Sequence, residues 1–250
     1  MSSPNFKDEV IWIVGASSGI GKALAIELAG AGARVVISAR RKEELDKLRM
    51  DLEGSPLVFP LDVTDSDMTT RTAQAIRAAT GHIDRVIFMS AAYTPMKFSG
   101  LDLTITRNML EVNVLGAIHV INAVLPILKE QTHGQIALCG SVAGYIGLPG
   151  GQPYSATKAA IANLAESLHA ECPKHIDVKL ISPGFVRTPL TDKNDFTMPM
   201  IITPEQAAKE IATGLQSNGF EIHFPKRFTM FLKLIRLLPY WLSLHIIQKL

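Results

Sequence analysis

The sequence predicts a three-layer α/β/α domain, in which helices cover both faces of a doubly wound parallel sheet of about seven strands. Strand-like and helix-like segments alternate along the chain from residue 9 to residue 224. The strand-like segments are apolar on both faces, which is typical of parallel strands buried between two layers of helices. This alternation is the pattern of an α/β fold with a parallel sheet.

Seven short aliphatic and β-branched segments predict the strands, at 9–14, 34–38, 56–63, 83–89, 134–140, 175–182 and 221–224. Six segments with helical periodicity lie between them, at 20–33, 42–53, 66–80, 104–131, 154–171 and 203–216. Thr203 and Pro204 supply an N-cap and a first-turn proline for the last of these helices. Because parallel neighbours are joined by right-handed crossovers, this order predicts a Rossmann-type domain.

The composition excludes several classes of protein. The chain has 250 residues, 47% of them hydrophobic, which suits one large domain. A net charge of +2 is too small to favour a nucleic-acid partner. Cys139 and Cys172 form neither a disulfide framework nor a metal-site spacing, and no metal is expected. The N-terminal residues lack the apolar core of a signal peptide, and no 18-residue uncharged apolar stretch predicts a membrane span, so we expect a cytoplasmic location.

A glycine-rich turn joins the first predicted strand to the first helix. Its sequence, VGASSGIG (14–21), allows the backbone to approach a pyrophosphate group closely. The N-terminus of the following helix offers unpaired N–H groups and a positive dipole end for phosphate. The turn therefore predicts a dinucleotide site, with the candidate residues Gly15, Ser17, Ser18, Gly19, Ile20 and Gly21.

A tyrosine and a lysine stand four residues apart at the start of a predicted helix, as Tyr154 and Lys158. This spacing places both side chains on one helix face. A nearby ammonium stabilises the phenolate, so we expect Lys158 to lower the pKa of Tyr154. Such a pair could give or take a proton near neutral pH. The pair taken alone fits an ordinary surface helix better than a catalytic site, so the other motifs must decide.

The spacing G-x-x-x-G-x-G, together with YSATK (154–158), resembles the short-chain dehydrogenase/reductase family, and the resemblance covers residues 1–224. It implies a catalytic set of Asn113 (in VNVLG), Ser141 (in GSVAG), Tyr154 and Lys158. In this set Tyr154 is the acid or base, and Ser141 donates to the substrate carbonyl. Lys158 holds the nicotinamide ribose, and Asn113 positions a water next to Lys158.

The same resemblance implies further cofactor contacts. Asp62 and Val63 would contact adenine, and Ala91 would line the site. The segment SPGFVRTPL (182–190) would cover the nicotinamide, with the candidate residues Pro183, Gly184, Val186 and Thr188. One departure is clear, because the family's Asn-Asn-Ala-Gly turn is replaced here by residues 89–92, Met-Ser-Ala-Ala.

The end of the second predicted strand indicates NADP(H) rather than NAD(H). A dehydrogenase that uses NAD commonly has an acidic residue there, whereas this chain has Ala39 followed by Arg40 and Arg41. A guanidinium suits a 2′-phosphate because its planar fork can bind two oxygens. The alternative is that both arginines pair with Glu43 and Glu44 on the next helix.

These features predict an NADP(H)-dependent oxidoreductase that acts on a hydrophobic ketone, aldehyde or secondary alcohol, as a homodimer or homotetramer. An NADP(H)-binding regulatory protein with little turnover is the alternative. Segments 90–100, 143–152 and 188–202 are expected to face the substrate, the third as a mobile lid. The candidate substrate contacts are Tyr93, Ser141, Tyr145, Tyr154 and Phe196, and Ile146, Leu148, Met198 and Met200 are expected to complete the apolar walls.

The chain divides into a cofactor-binding and catalytic domain, 1–224, and an apolar and basic extension, 225–250. Pro239 is expected to split the extension into two helices. Their apolar residues recur at helical spacing as Phe228, Phe231, Leu232, Ile235, Leu238, Leu242 and Ile246. Positive charge comes from Lys226, Arg227, Lys233, Arg236 and Lys249. Three interpretations remain open, namely a lid on the substrate pocket, a dimerisation arm, or peripheral contact with an anionic membrane.

Overall fold

The computed structural model describes residues 4–248, and it confirms the predicted fold class. One parallel sheet has the strand order β3-β2-β1-β4-β5-β6-β7. The strands are β1 (Val10–Val14), β2 (Arg34–Ser38), β3 (Leu57–Val58), β4 (Arg85–Phe88), β5 (Gly134–Cys139), β6 (Ile176–Pro183) and β7 (Glu221–Phe224). The α-helices are α1 (Gly19–Gly30), α2 (Lys42–Asp51), α3 (Ser66–Thr80), α4 (Leu103–Leu110), α5 (Gly116–Gln131), α6 (Tyr154–Glu171), α7 (Pro204–Leu215), α8 (Lys226–Arg236) and α9 (Tyr240–Ile247).

Each face of the sheet has its own hydrophobic core. In β1, Ile11 and Ile13 point to one face, where α1, α2 and α7 pack. Trp12 and Val14 point to the other face, where α3, α5 and α6 pack. Both sides of the central strands are therefore buried, which explains their continuous apolar sequence. The order of the strands reverses between β1 and β4, and in such sheets the crevice beyond the carboxyl ends of these strands is where ligands bind.

Two predicted elements differ from the structure. The third strand covers only Leu57–Val58 instead of 56–63, because the proline at position 60 has no N–H for the ladder. Pairing with β2 nevertheless continues, since Phe59 N donates to Ile37 O at 3.0 Å and Leu61 N donates to Ala39 O at 3.0 Å. The long helix predicted over 104–131 is interrupted by a wide π-helical turn at Glu111–Leu115.

By length and composition, one helical segment within residues 4–248 could cross a membrane, namely Leu103–Gln131. Its inward residues, among them Ala117, Val120 and Val124, are buried in the core on the sheet. A core helix of a globular domain meets the same criteria, so this segment is weak evidence for a membrane span.

The C-terminal extension folds back onto the domain as α8 and α9, which meet at Pro239 as predicted. Its inner residues Phe228, Leu232, Ile235 and Ile246 join Val142, Tyr145 and Ile146 in a third hydrophobic cluster. Phe231, expected on the buried face, is instead 49% exposed. Lys249 lies outside the described residues.

Candidate active site

The glycine turn is closed by contacts that leave no room for a side chain. Gly15 has a φ of +101°, and a Cβ there would lie 2.5 Å from the backbone nitrogen of Ser90. A Cβ on Gly21 would lie 2.2 Å from the carbonyl oxygen of Gly15. The turn after β1 therefore lies directly against the turn after β4 and brings the N-terminus of α1 to the mouth of the crevice.

A cavity of about 540 Å³ lies at these carboxyl ends of the strands. Nearly all the predicted cofactor residues line it, namely Gly15, Ser17, Ser18, Gly19, Ile20, Gly21, Arg40, Arg41, Val63, Ala91, Tyr154, Lys158, Pro183, Gly184, Val186 and Thr188. Asp62 is the exception, because its carboxylate accepts hydrogen bonds from the backbone N–H of Thr64 (3.0 Å) and from its hydroxyl (2.8 Å). The glycine turn at residues 14–21, which we call the glycine cradle, lies beside a helix N-terminus and two guanidinium groups. Together these groups fit an elongated, phosphate-bearing dinucleotide.

Arg40 and Arg41 line the cavity, and neither guanidinium forms an ion pair among the described residues. Arg41 Nη2 donates to Ser17 Oγ at 3.0 Å, and Arg40 is exposed. The alternative pairing with Glu43 and Glu44 is not observed among the described residues, where Glu44 pairs with Lys47 at 2.9 Å. Ala39 is buried at the end of the cavity wall and offers no acidic group.

Ser141, Tyr154 and Lys158 come together at the inner end of this cavity. Tyr154 begins α6, and Lys158 is one turn further along the same helix. The Lys158 ammonium donates to Cys139 O at 2.7 Å and lies 5.5 Å from the centre of the Tyr154 ring. The Ser141 hydroxyl oxygen accepts a hydrogen bond from the backbone of Ala143 at 3.1 Å.

The expectation that Lys158 lowers the pKa of Tyr154 is not met. Burial raises the pKa of Tyr154, and a hydrogen bond with Ser141 opposes this effect only in part. Burial also lowers the pKa of Lys158 itself. The physical reason is that Tyr93 packs edge-on against Tyr154, with ring centres 4.7 Å apart, while Lys158 directs its ammonium to a backbone carbonyl.

Asn113 lies in the π-helical turn and is fully buried, outside the cavity lining. Its Oδ1 accepts from Ala92 N at 2.6 Å, and its Nδ2 donates to Ala92 O at 3.0 Å and to Thr157 Oγ1 at 3.0 Å. Asn113 thus ties the turn after β4, where this chain departs from the family's usual sequence, to α6. These contacts engage the side-chain amide with Ala92 and Thr157, and the water contact that the resemblance implied stays a prediction.

A second cavity, of about 480 Å³, adjoins the first. Tyr93 and Phe196 line it as predicted, together with Met96, Leu148 and Phe185. Residues common to the two cavities mark their junction, namely Ser141, Tyr154, Gly184, Leu190 and Thr191. A proton donor and a hydroxyl group therefore stand between a dinucleotide-sized space and a mainly apolar one.

Tyr145 was expected at the substrate, but the structure places it on the opposite side of its loop. Its hydroxyl donates to Glu221, and its ring contacts Lys233 of α8, whose ammonium lies 5.7 Å from the ring centre. These contacts hold the Tyr145 ring away from the second cavity, whose lining does not include it. Ile146, Met198 and Met200 are likewise absent from the lining of the second cavity.

The segment after β6 contributes contacts that the sequence analysis missed. The predicted lid is tied to Tyr93, because Lys193 Nζ donates to Tyr93 O at 2.7 Å and the Tyr93 hydroxyl donates to Asn194 Oδ1 at 2.6 Å. Thr191 Oγ1 donates to Val186 O at 2.6 Å and fixes the loop that carries Thr188. The only sequence signal was the polar character of residues 191–195, which indicated mobility and not these contacts.

A single methyl group should test the glycine cradle. Gly21→Ala places a Cβ against Gly15 O, so the turn must open, and we expect dinucleotide affinity to fall by at least about tenfold (roughly 1.4 kcal/mol). Isothermal titration calorimetry measures this. Gly30→Ala is the matched control, because Gly30 ends the same helix and has open space where its Cβ would be. Equal affinity for the two variants, with native circular dichroism, would contradict the assignment.

Comparison with known proteins agrees with this geometry. The family model described as short chain dehydrogenase matches residues 9–198. A relative from Myxococcus xanthus (strain DK1622), named an uncharacterized oxidoreductase, is 32% identical and covers 91% of each chain.

Two solved structures share the fold. One is a short-chain dehydrogenase/reductase from Burkholderia phymatum in complex with NAD (TM-score 0.83, 20% identity, 92% of this chain and 93% of that one). The other is an alcohol dehydrogenase from Thermococcus sibiricus complexed with 5-hydroxy-NADP (TM-score 0.79, 24% identity, 87% and 96%). The family match and the fold lead to one conclusion: this chain belongs to the short-chain dehydrogenase/reductase family, a family of oxidoreductases that bind a nicotinamide cofactor.

Proposed function

We propose that this protein is an NADP(H)-dependent oxidoreductase that interconverts a carbonyl group and a secondary alcohol on a small hydrophobic molecule. The observation that carries the proposal is the position of Ser141 and Tyr154 at the junction of the two cavities. The nicotinamide, when bound, supplies or accepts the hydride. The protein then has to bind the substrate, polarise its oxygen and move one proton.

Ser141 and Tyr154 divide this work. The Ser141 hydroxyl donates to the substrate oxygen, where negative charge develops during reduction. The Tyr154 hydroxyl then supplies the proton to that oxygen. Since burial raises the pKa of Tyr154 above its ordinary value, the phenol remains protonated at neutral pH. A protonated phenol is the form that Tyr154 needs as the acid in carbonyl reduction.

Lys158 and Asn113 have supporting roles in the proposed mechanism. Lys158 lines the first cavity and keeps its ammonium beside the Tyr154 ring, where it can hold ribose hydroxyls. Asn113 joins Ala92 to Thr157 and so fixes α6 relative to the turn after β4. The distance between Tyr154 and the glycine cradle therefore depends on a buried amide.

The character of the second cavity supports a hydrophobic substrate. Met96, Leu148, Phe185 and Phe196 supply apolar surface, and the rings of Phe185 and Phe196 meet edge to face at 5.7 Å. A ketone, an aldehyde or a secondary alcohol with an apolar body would bury that body here and leave its oxygen near Tyr154.

The proposal of NADP(H) is supported by Arg40 and Arg41 at the cavity, without an acidic partner among the described residues, and by the alanine at position 39. An acidic residue at that position would repel a 2′-phosphate, whereas two guanidinium groups attract it. The two solved relatives bind NAD in one case and an NADP derivative in the other, so the cofactor choice must come from this chain's own residues.

An NADP(H)-binding regulatory protein with little turnover is the second candidate. The raised pKa of Tyr154 and the hydrogen bond that holds Lys158 at Cys139 O favour it, because both work against deprotonation of the phenol. Tight NADPH binding without turnover of any ketone or aldehyde in a chemically diverse panel would establish this candidate and exclude the first.

We also propose a cytoplasmic homodimer or homotetramer, as is general in the family. Leu110, Leu115 and Ile118 on the outer surface of α4–α5 are each more than a third exposed, which supports a contact between copies there. Sedimentation equilibrium that finds only a monomer would exclude this assembly.

Tyr154→Phe keeps the aromatic ring and removes the proton donor. We expect turnover of carbonyl substrates to fall by roughly 10²–10⁴-fold, the usual contribution of general acid catalysis, while the NADPH dissociation constant stays within about threefold. Steady-state kinetics and fluorescence titration measure the two quantities. Tyr240→Phe is the control, because Tyr240 is 83% exposed on the extension. Turnover by Tyr154→Phe close to that of the control would rule out the mechanism.

Arg40→Ala removes a cation that we assign to the 2′-phosphate. NADPH affinity should fall by about ten- to a hundredfold, the range for a charged hydrogen bond, and NADH affinity should change little. Arg49→Ala removes a comparable exposed charge from α2 and serves as the control. Equal losses for both cofactors would show that Arg40 does not distinguish them.

A further inference from the structure

The extension exposes several large apolar side chains that lie close together in sequence on α8 and α9. Seven large apolar or aromatic side chains of α8, α9 and the turn between them are 48% to 83% exposed. We call this surface the tail face, and its residues are Met230, Phe231, Leu234, Leu237, Tyr240, Trp241 and Leu244. Isolated exposed apolar residues are ordinary, but a cluster of this size indicates a binding surface.

The tail face is held in place from behind. Leu232 and Ile235 are buried against the domain, and Lys233 donates to Glu221 Oε2 at 2.5 Å. His223 Nδ1 and Thr229 Oγ1 form a further hydrogen bond, at 2.6 Å. A partner therefore meets folded helices and not a free chain, which reduces the entropy lost on binding.

The charges on the extension select the partner. Residues 225–250 contain five lysines and arginines and no aspartate or glutamate. Within residues 4–248, Lys233 is neutralised by Glu221, whereas Lys226, Arg227 and Arg236 are exposed and form no ion pair. A symmetric contact with a second copy would bring these cations close to the same cations of that copy, and the charge repulsion is unfavourable. The surface fits an anionic partner.

The most exposed side chains narrow the choice to lipid. Leu237, Tyr240 and Trp241, each at least 76% exposed, lie where α8 meets α9. Tyrosine and tryptophan favour the boundary between hydrocarbon and headgroups, where an apolar ring and a polar atom are both accommodated. Lysine and arginine beside such an apolar surface are attracted to anionic headgroups.

We propose that the tail face docks on the surface of an anionic phospholipid membrane, with Leu237, Tyr240 and Trp241 inserted and the flanking cations at the headgroups. The inner side of α8 also contacts the wall of the second cavity, because the Phe228 ring lies 5.6 Å from that of Phe185. Docking therefore takes place next to the proposed substrate site. The docking itself requires no catalytic activity and can be tested apart from it.

Co-sedimentation of the full-length protein with vesicles tests the proposal. We expect binding to phosphatidylcholine vesicles that contain phosphatidylserine, weak binding to pure phosphatidylcholine, and release from the anionic vesicles at high salt. Leu237→Ser combined with Trp241→Ser should reduce the partition coefficient at least about tenfold, because both side chains lose apolar burial. Arg227→Gln combined with Arg236→Gln should reduce it roughly thirtyfold on anionic vesicles alone.

Met50→Ser is the matched control, because Met50 is 82% exposed on α2, away from the extension. Circular dichroism and NADPH titration verify that each variant is folded, and the arginine pair tests the proposal even if the serine pair does not fold. Failure of the wild-type protein to bind anionic vesicles would overturn the proposal. So would equal binding by all folded variants. Absence of vesicle binding together with dissociation of an oligomer in the serine variant would assign the tail face to a second copy.

Discussion

The close contact between the turns after β1 and β4 is the constraint on which the site depends. Gly15 packs against the backbone of Ser90, and Gly21 packs against Gly15 O. Both approaches are too close for a Cβ atom to fit at either glycine. This contact fixes the start of α1 beside the end of β4 at the point where the strand order reverses. The first cavity exists because two backbone segments meet there without side chains between them.

Asn113 connects the turn after β4 to α6, the helix that carries Tyr154 and Lys158. The π-helical turn places a buried amide between Ala92 and Thr157, with two hydrogen bonds to the backbone of Ala92 and one to the side chain of Thr157. A buried amide with satisfied hydrogen bonds is costly to disturb. In the turn after β4, Ser90 replaces an asparagine of the family's usual sequence. This turn is still anchored, because Asn113 hydrogen-bonds to the backbone of Ala92.

The loop of Ser141 lies between two supports that come from distant parts of the chain. On one side, Gly144 lies flat against α6. On the other, Tyr145 donates to Glu221, which also accepts from Lys233 of α8. Burial raises the pKa of Glu221, but these hydrogen bonds outweigh burial and leave the pKa lowered. The C-terminal extension thus stabilises the serine loop from behind while its outer surface remains exposed.

The sequence by itself determined the parallel α/β fold, the strand and helix order and the glycine turn, because these follow from local periodicity and short-range turn chemistry. Its resemblance to the family implied the grouping of Ser141, Tyr154 and Lys158. Only the tertiary structure decided the direction of side chains whose partners are remote in sequence. Tyr145 donates to Glu221, and Asn113 hydrogen-bonds to Ala92. The same holds for the pKa of Tyr154, which burial raises, because burial depends on residues remote in sequence that pack around the ring, Tyr93 among them.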